Sequence, residues 1–228
     1  MKPHSIKRYL LTALLVAALL PACVLAAGSA TVTTNGTQAQ VYWANGMIRM
    51  NPGNSPGYMI LRDGRIYSVT DQGGQTRVID MTGMVQAASG MAQSGNAQLP
   101  LDATVESVVA TGETATVAGI KGRVYEVTLT TKKGETRTQT LVLTDNPRVV
   151  EMTQAYMTAL RSFIGPEKMG QLMQQLPAED RGLLRAGTDY RLASISGAAP
   201  SAALFELPAE PSSLADMLQD MIQRGTRQ

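Results

Sequence analysis

YMILRDGRIYSVT, residues 58–70, is the stretch whose reading decides the fold. Two runs of β-forming residues flank Asp63-Gly64. A two-residue connection between strands needs positive φ at both central positions, and Asp and Gly tolerate it. The stretch therefore predicts an antiparallel hairpin. Its register sets Arg62 opposite Arg65, Leu61 opposite Ile66 and Ile60 opposite Tyr67.

The pattern extends in both directions. Residues 31–43 read as a strand entering on AQVYW, and GMIRMN, 46–51, as a second. NPGNSPG, 51–57, is a loop. After the hairpin, Gly73-Gly74 turns the chain into TRVIDM. Residues 81–94 allow a helix on Met84, Ala87, Ala88 and Met91, which Gly83 and Gly90 weaken. Residues 99–122 read as strands broken by Gly112 and Gly119. RVYEVTLT alternates, with Tyr125, Val127 and Leu129 on one face and Glu126, Thr128 and Thr130 on the other. KKGE turns the chain and TRTQTLVLT returns, as in an antiparallel meander with one wet face.

The period then changes. Asn146-Pro147 is a helix start, with a side-chain cap and a residue that needs no N–H at the first helical position. Val149, Met152, Tyr156, Leu160 and Phe163 follow at helical spacing, and Gly165-Pro166 stops the helix. A shorter helix carries Met169, Leu172, Met173 and Leu176. GLLRAGTDYRLASIS reads as two strands, GAAPSAA as a loop and LFELPAEP as extended chain. A final amphipathic helix places Leu214, Met217, Leu218, Met221 and Ile222 on one face. The fold class expected is α+β.

The front of the 228-residue chain has a different character. MKPHSIKR is basic, YLLTALLVAALL is apolar, and Pro21 and small residues follow. That is the order of a secretory signal, and the apolar run is too short to span a membrane. Two cuts compete. Val24-Leu25-Ala26 before Ala27 fits simple cleavage, whereas Leu20-Pro21-Ala22-Cys23 is a lipoprotein box that would leave an acylated Cys23. The expected division is 1–26 signal peptide, 27–208 a single sheet domain and 209–228 a C-terminal helix. The expected location is the periplasm of a Gram-negative bacterium, with a membrane-anchored lipoprotein as the alternative.

The only histidine is His4 and the only cysteine is Cys23. A chain cut before Ala27 loses both. That excludes Ser-His-Asp and Cys-His nucleophiles, zinc held by His and Cys, disulfides and covalent haem. No P-loop or dinucleotide fingerprint is present, and the one G-x-S-x-G match, GNSPG at 53–57, lies in the NPGNSPG loop between two strand-like runs, without the strand-to-helix context of a nucleophile elbow. Lysines and arginines are not clustered as a nucleic-acid binder requires. The nearest carboxylate pairs, Glu179-Asp180 and Asp102 with Glu106, lack neighbouring aromatic rings and read as solvated surface acids.

What remains is binding. Thirteen methionines stand against two phenylalanines and one tryptophan. Thioethers line adaptable apolar surfaces, and also pack ordinary cores. Copper(I) on thioethers is disfavoured because the methionines are scattered. Arg62 and Arg65, with Arg49 nearby, are either an anion contact or solvated side chains at a turn.

Three stretches carry a resemblance. GMIRMN with YMILRDGRIYSVTDQGGQTRVIDM, then VAGIKGRVYEVTL, then DYRLASIS with LFELPA, together resemble an uncharacterised family of exported bacterial proteins. That family is similar in layout to the periplasmic lipoprotein carriers. The resemblance covers roughly residues 40–208. It implies a curved antiparallel β-sheet, a half-barrel, wrapping a helix pair around a hydrophobic cavity. Relatives often carry a cysteine where Gly122 stands. The expectation is a non-catalytic protein without a cofactor, binding a lipid, other apolar ligand or acylated polypeptide. Candidate cavity residues are Trp43, Met47, Met59, Tyr67, Tyr125, Met152, Tyr156, Leu160 and Phe163. The alternative is an envelope interaction module that binds a protein partner through Leu214, Met217, Leu218, Met221 and Ile222. Nucleic acid is not an expected partner, and a membrane is one only if Cys23 is lipidated.

Overall fold

The computed structural model describes residues 27–85, 103–131, 134–164, 170 and 174–213. Twelve strands join in one open sheet. They are β1 (Ala27–Thr34), β2 (Thr37–Ala44), β3 (Met47–Pro52), β4 (Tyr58–Arg62), β5 (Arg65–Gln72), β6 (Gln75–Asp80), β7 (Ala103–Val117), β8 (Ile120–Thr131), β9 (Thr136–Thr144), β10 (Gly182–Ala186), β11 (Tyr190–Ser196) and β12 (Ser212–Ser213). Their order is β12-β6-β5-β4-β3-β2-β1-β11-β10-β9-β8-β7. All neighbours pair antiparallel except β12 with β6.

Two-residue turns build the first meander. Asp63 and Gly64 have φ of 53° and 71°, and Arg62–Arg65, Leu61–Ile66 and Ile60–Tyr67 pair as their sequence predicts. Gly73-Gly74 turns between β5 and β6 in the same way. Residues 31–43, however, are not one strand. Asn35-Gly36, with φ of 48° and 78°, splits them into β1 and β2, and Asn45-Gly46 repeats the device before β3. Asn-Gly is among the strongest hairpin signals, and here it outweighs the β-forming run around it. Gly112 does not break β7, which passes it as an irregularity in the pairing with β8. Leu204 and Phe205, at the start of the stretch expected to be extended, close a 3-10 turn over Ala202–Phe205.

The single long helix among the described residues is α1 (Pro147–Ile164). Asn146 caps it, its Oδ1 accepting from the N–H of Arg148 at 3.2 Å and of Val149 at 3.4 Å. Val149 and Met152 enter a core with Trp43, Ile48, Leu184 and Leu192. Thr153 ties the helix to the sheet: its hydroxyl donates to Val149 O and accepts from the N–H of Leu183.

Strand alternation sorts β1–β6 into two faces. Val41, Trp43, Ile48, Leu61 and Ile66 point to α1, on what we call the helix face. Ile60, Tyr67, Val69 and Val78 point the other way and form a second core. Residues 202–213 run over that second core as a strap. Phe205 is buried, and Leu207 packs on the cluster. Arg49 Nη1 donates to Leu204 O and Arg62 Nη1 to Phe205 O, each at 3.1 Å. The strap ends as β12, with Ser212 and Ser213 beside Ile79 and Asp80 at the sheet edge.

At the far end the sheet curls. β7 and β11 approach within 8 Å although β8, β9 and β10 lie between them in the order. A flat sheet would hold them about 19 Å apart at the usual strand spacing. Val117 of β7 accordingly joins the core beneath α1.

Candidate functional site

The helix face holds the larger apolar cluster, and α1 lies along it. At its centre Trp43 is only 1% exposed and its indole N–H donates to Glu151 Oε1 at 3.1 Å. Around that seal the surface is less covered. Met50 and Met59 pair across β3 and β4, and both are half-buried. Ala155, Ala159, Tyr190, Ile66 and Val85 pack against the core while partly open. Tyr156 follows Val149 and Met152 on the same stripe of α1 and is 38% exposed at its margin.

Tyr156 and Tyr190 are neighbours. Burial pushes both hydroxyls above the ordinary phenol value, and the closeness of Tyr156 raises Tyr190 further. The margin of the helix face thus offers methionine, alanine and two un-ionised phenols, with the Glu151 carboxylate beside the indole. Such a surface excludes water from an apolar chain and offers a few polar points to orient it. Among the described residues no cluster of three His, Cys, Asp or Glu is placed to hold a metal.

The candidate cavity residues do not all meet there. Trp43, Met59, Met152 and Tyr156 lie on or beside the helix face. Met47 and Tyr67 do not join them, because each sits one position out of phase and points to the strap face. Tyr125 points away from its neighbour Val124, which is in the α1 core, and its hydroxyl donates to Asp180 Oδ2 at 2.7 Å. The side chains of Leu160 and Phe163 lie outside the described residues. So do Cys23 and residues Leu214, Met217, Leu218, Met221 and Ile222, most of the second helix, and the helix at 81–94 beyond its first turn at 82–85.

Asp180 corrects the reading of Glu179-Asp180 as solvated acids. It is 2% exposed and receives hydrogen bonds from the Tyr125 hydroxyl and Arg123 Nε. Burial and then the bond to Asp180 push the Tyr125 hydroxyl up to about 12. This group pins the segment before β10 to β8. Its carboxylate accepts from both donors and acts as a clamp. No local pattern distinguishes Asp180 from Glu179, since its partners lie more than fifty residues upstream.

The arginines are also accounted for. Arg62 reaches the strap and Asp63, Arg65 pairs with Asp80 at 3.1 Å, and Arg49 stacks on Tyr58 with its guanidinium 3.5 Å from the ring centre. They serve the strap and the hairpin rather than a shared anion. Asp80 falls below the ordinary carboxylate value: burial raises it, but hydrogen bonds from Thr82 and the charge of Arg65 outweigh that.

Gly122 has a steric reason. A Cβ there would lie 2.6 Å from Leu143 O and 2.8 Å from Leu184 Cδ1 and Val142 Cγ1. A cysteine at this position could not enter without moving β9 or β10. An open depression of about 500 Å³ lies at the start of α1, beside Ile120, Arg148 and Ile195. Asn146 already occupies the first N–H groups of the helix there.

No protein-family model, curated protein or solved structure matches the chain. Among the described residues no helix is long and apolar enough to cross a membrane.

Proposed function

We propose that the protein is an exported, non-catalytic binder of an apolar ligand, a lipid or an acylated polypeptide, held along the helix face. In this reading the sheet is a half-barrel closed around α1 and a second helix, in the manner of the lipoprotein carriers, and the C-terminal amphipathic helix completes the molecule. One observation carries the reading: a large apolar sheet face lies under one helix, with Met50 and Met59 on one side of it and Tyr156 and Tyr190 on another, all partly open among the described residues. The residue types left by the composition favour binding over catalysis. The proposed location is the periplasm, with Cys23 either removed or acylated.

Native mass spectrometry of the chain expressed from its full precursor tests this. The expected spectrum shows an additional mass that disappears on denaturation. The denatured mass distinguishes a start at Ala27 from an acylated start at Cys23. Tyr156→Asp, at the partly open margin of α1, is expected to lose the bound mass while far-ultraviolet circular dichroism shows the fold retained. A ligand-free native spectrum, with no binding of added phospholipid or acyl peptide, would sink the proposal.

A further inference from the structure

We propose that the strap-face groove is an interaction surface for a second copy of this chain: residues 202–213 of one molecule dock on β3–β6 of another, and two molecules exchange straps. The inference is independent of the ligand reading, which concerns the opposite face.

The groove is assembled without the strap. Arg49 is held by its own neighbours, its Nε donating to Asn51 Oδ1 at 2.8 Å and its plane stacked on Tyr58. Arg62 is steered by Asp63 in the adjoining turn. Both guanidinium groups therefore present a spare N–H toward the same line, where they receive Leu204 O and Phe205 O. Recognition of consecutive main-chain carbonyls, one buried aromatic anchor and an edge pairing is how folded domains take an extended peptide.

The connection to the strap leaves it free to choose. Residues 197–201, GAAPS, are exposed except for half-buried Pro200. Gly197 gives the chain conformational freedom, and Pro200 biases Ala199 toward extended backbone and away from a tight return. The docking contacts described all fall within residues 202–213. The same contacts form whichever copy supplies the segment, so exchange costs little beyond the loss of local concentration, which is millimolar for a short flexible link. Each molecule in such a dimer would deliver its chain beyond Ser213 to the β6 edge of its partner.

The test uses the full chain. Wild-type protein held at several hundred micromolar and warmed gently is expected to give a dimer by light scattering. Phe205→Asp removes the anchor, and Arg49→Ser with Arg62→Ser disarms the groove. Each variant alone is expected to be monomeric, and their mixture is expected to yield a one-to-one heterodimer with one intact strap and one intact groove. Deleting residues 197–200 leaves strap and groove untouched. With the 3-10 turn kept, it shortens the reach from Ser196 to Leu204 to about 11 Å, short of the roughly 14 Å of the three strand spacings it must cross. That variant is expected to shift at least tenfold toward dimer. A wild type that stays monomeric, a deletion variant that stays monomeric, or a dimer that survives Phe205→Asp would each overturn the proposal.

Discussion

The two faces of the β1–β6 meander are covered in opposite ways. α1 covers one with regular structure: it satisfies its own backbone and brings a periodic apolar stripe. The strap covers the other with chain that is mostly irregular, so its carbonyls must be satisfied by the sheet, and Arg49 and Arg62 do this. The helix face is therefore built on side-chain packing. The strap face is built on two long cations reaching main-chain atoms around a single buried ring. The first arrangement belongs to the core of the fold. The second is an attachment of irregular chain to a finished sheet.

The sharpest way to break this contrast is to remove the central ring from each face. Trp43→Ala is expected to cost about 3–5 kcal/mol of global stability, since it opens a large cavity and strands Glu151. Phe205→Ala removes a ring that is equally buried. Its expected effect is local: faster amide exchange confined to residues 197–213, with α1 protection unchanged and a smaller shift of the chemical denaturation midpoint. Equal midpoint shifts for the two variants would show that the faces form one cooperative unit.

A step down in size, Gly122→Ala is expected to cost about 1–3 kcal/mol through overpacking against Leu143, Val142 and Leu184. Thermal melts of the purified variant measure it. A loss that small would place the β8–β9 contact among those that adjust, and a larger one would make it as rigid as the Trp43 site.

Alkaline titration probes the Asp180 clamp. The Tyr125 hydroxyl titrates higher in the folded protein than in the unfolded chain, so the unfolded chain releases its proton first. The associated stability is complete below about pH 10 and is lost as pH rises from there toward 12. Tyr156 and Tyr190 act with the same sign. Tyr125→Phe should flatten part of that slope in denaturation curves recorded across the interval. A slope that does not change would assign the effect to the α1 margin instead. The smallest effect expected is from Arg65→Ser, below about 1 kcal/mol, because the Arg65–Asp80 pair is largely exposed on the arginine side.

Much of the helix face was legible in the sequence. Asn146, Pro147 and the spacing from Val149 to Phe163 mark α1 because capping and period are local properties. Asp63-Gly64 carries its hairpin, register included, for the same reason. The strap was not legible. LFELPAEP holds no periodicity, and its partners are Arg49 and Arg62, about 150 residues upstream, which looked like solvated turn residues until the chain crossed over them. Tyr67 and Met47 lie on the strap face, and apolar character alone does not say which side of a two-sided strand is which. In β4 and β5 both sides carry apolar residues that pack in a core, so alternation distinguishes the faces but gives no polarity contrast to orient them. Asp180 escaped for want of any local mark of burial.

One pairing has a consequence for the order in which the molecule comes into being. β1 lies between β2 and β11, and Ser29 pairs with Ser196. β2 is synthesised directly after β1, but at 5–20 residues per second β11 follows roughly 8–30 s later. Throughout that interval the first six strands can zip by adjacent hairpins while the outer edge of β1 waits unpaired. A nascent chain in this condition is a half-sheet with an open seam, and any helper that binds extended polypeptide edges has its opportunity there.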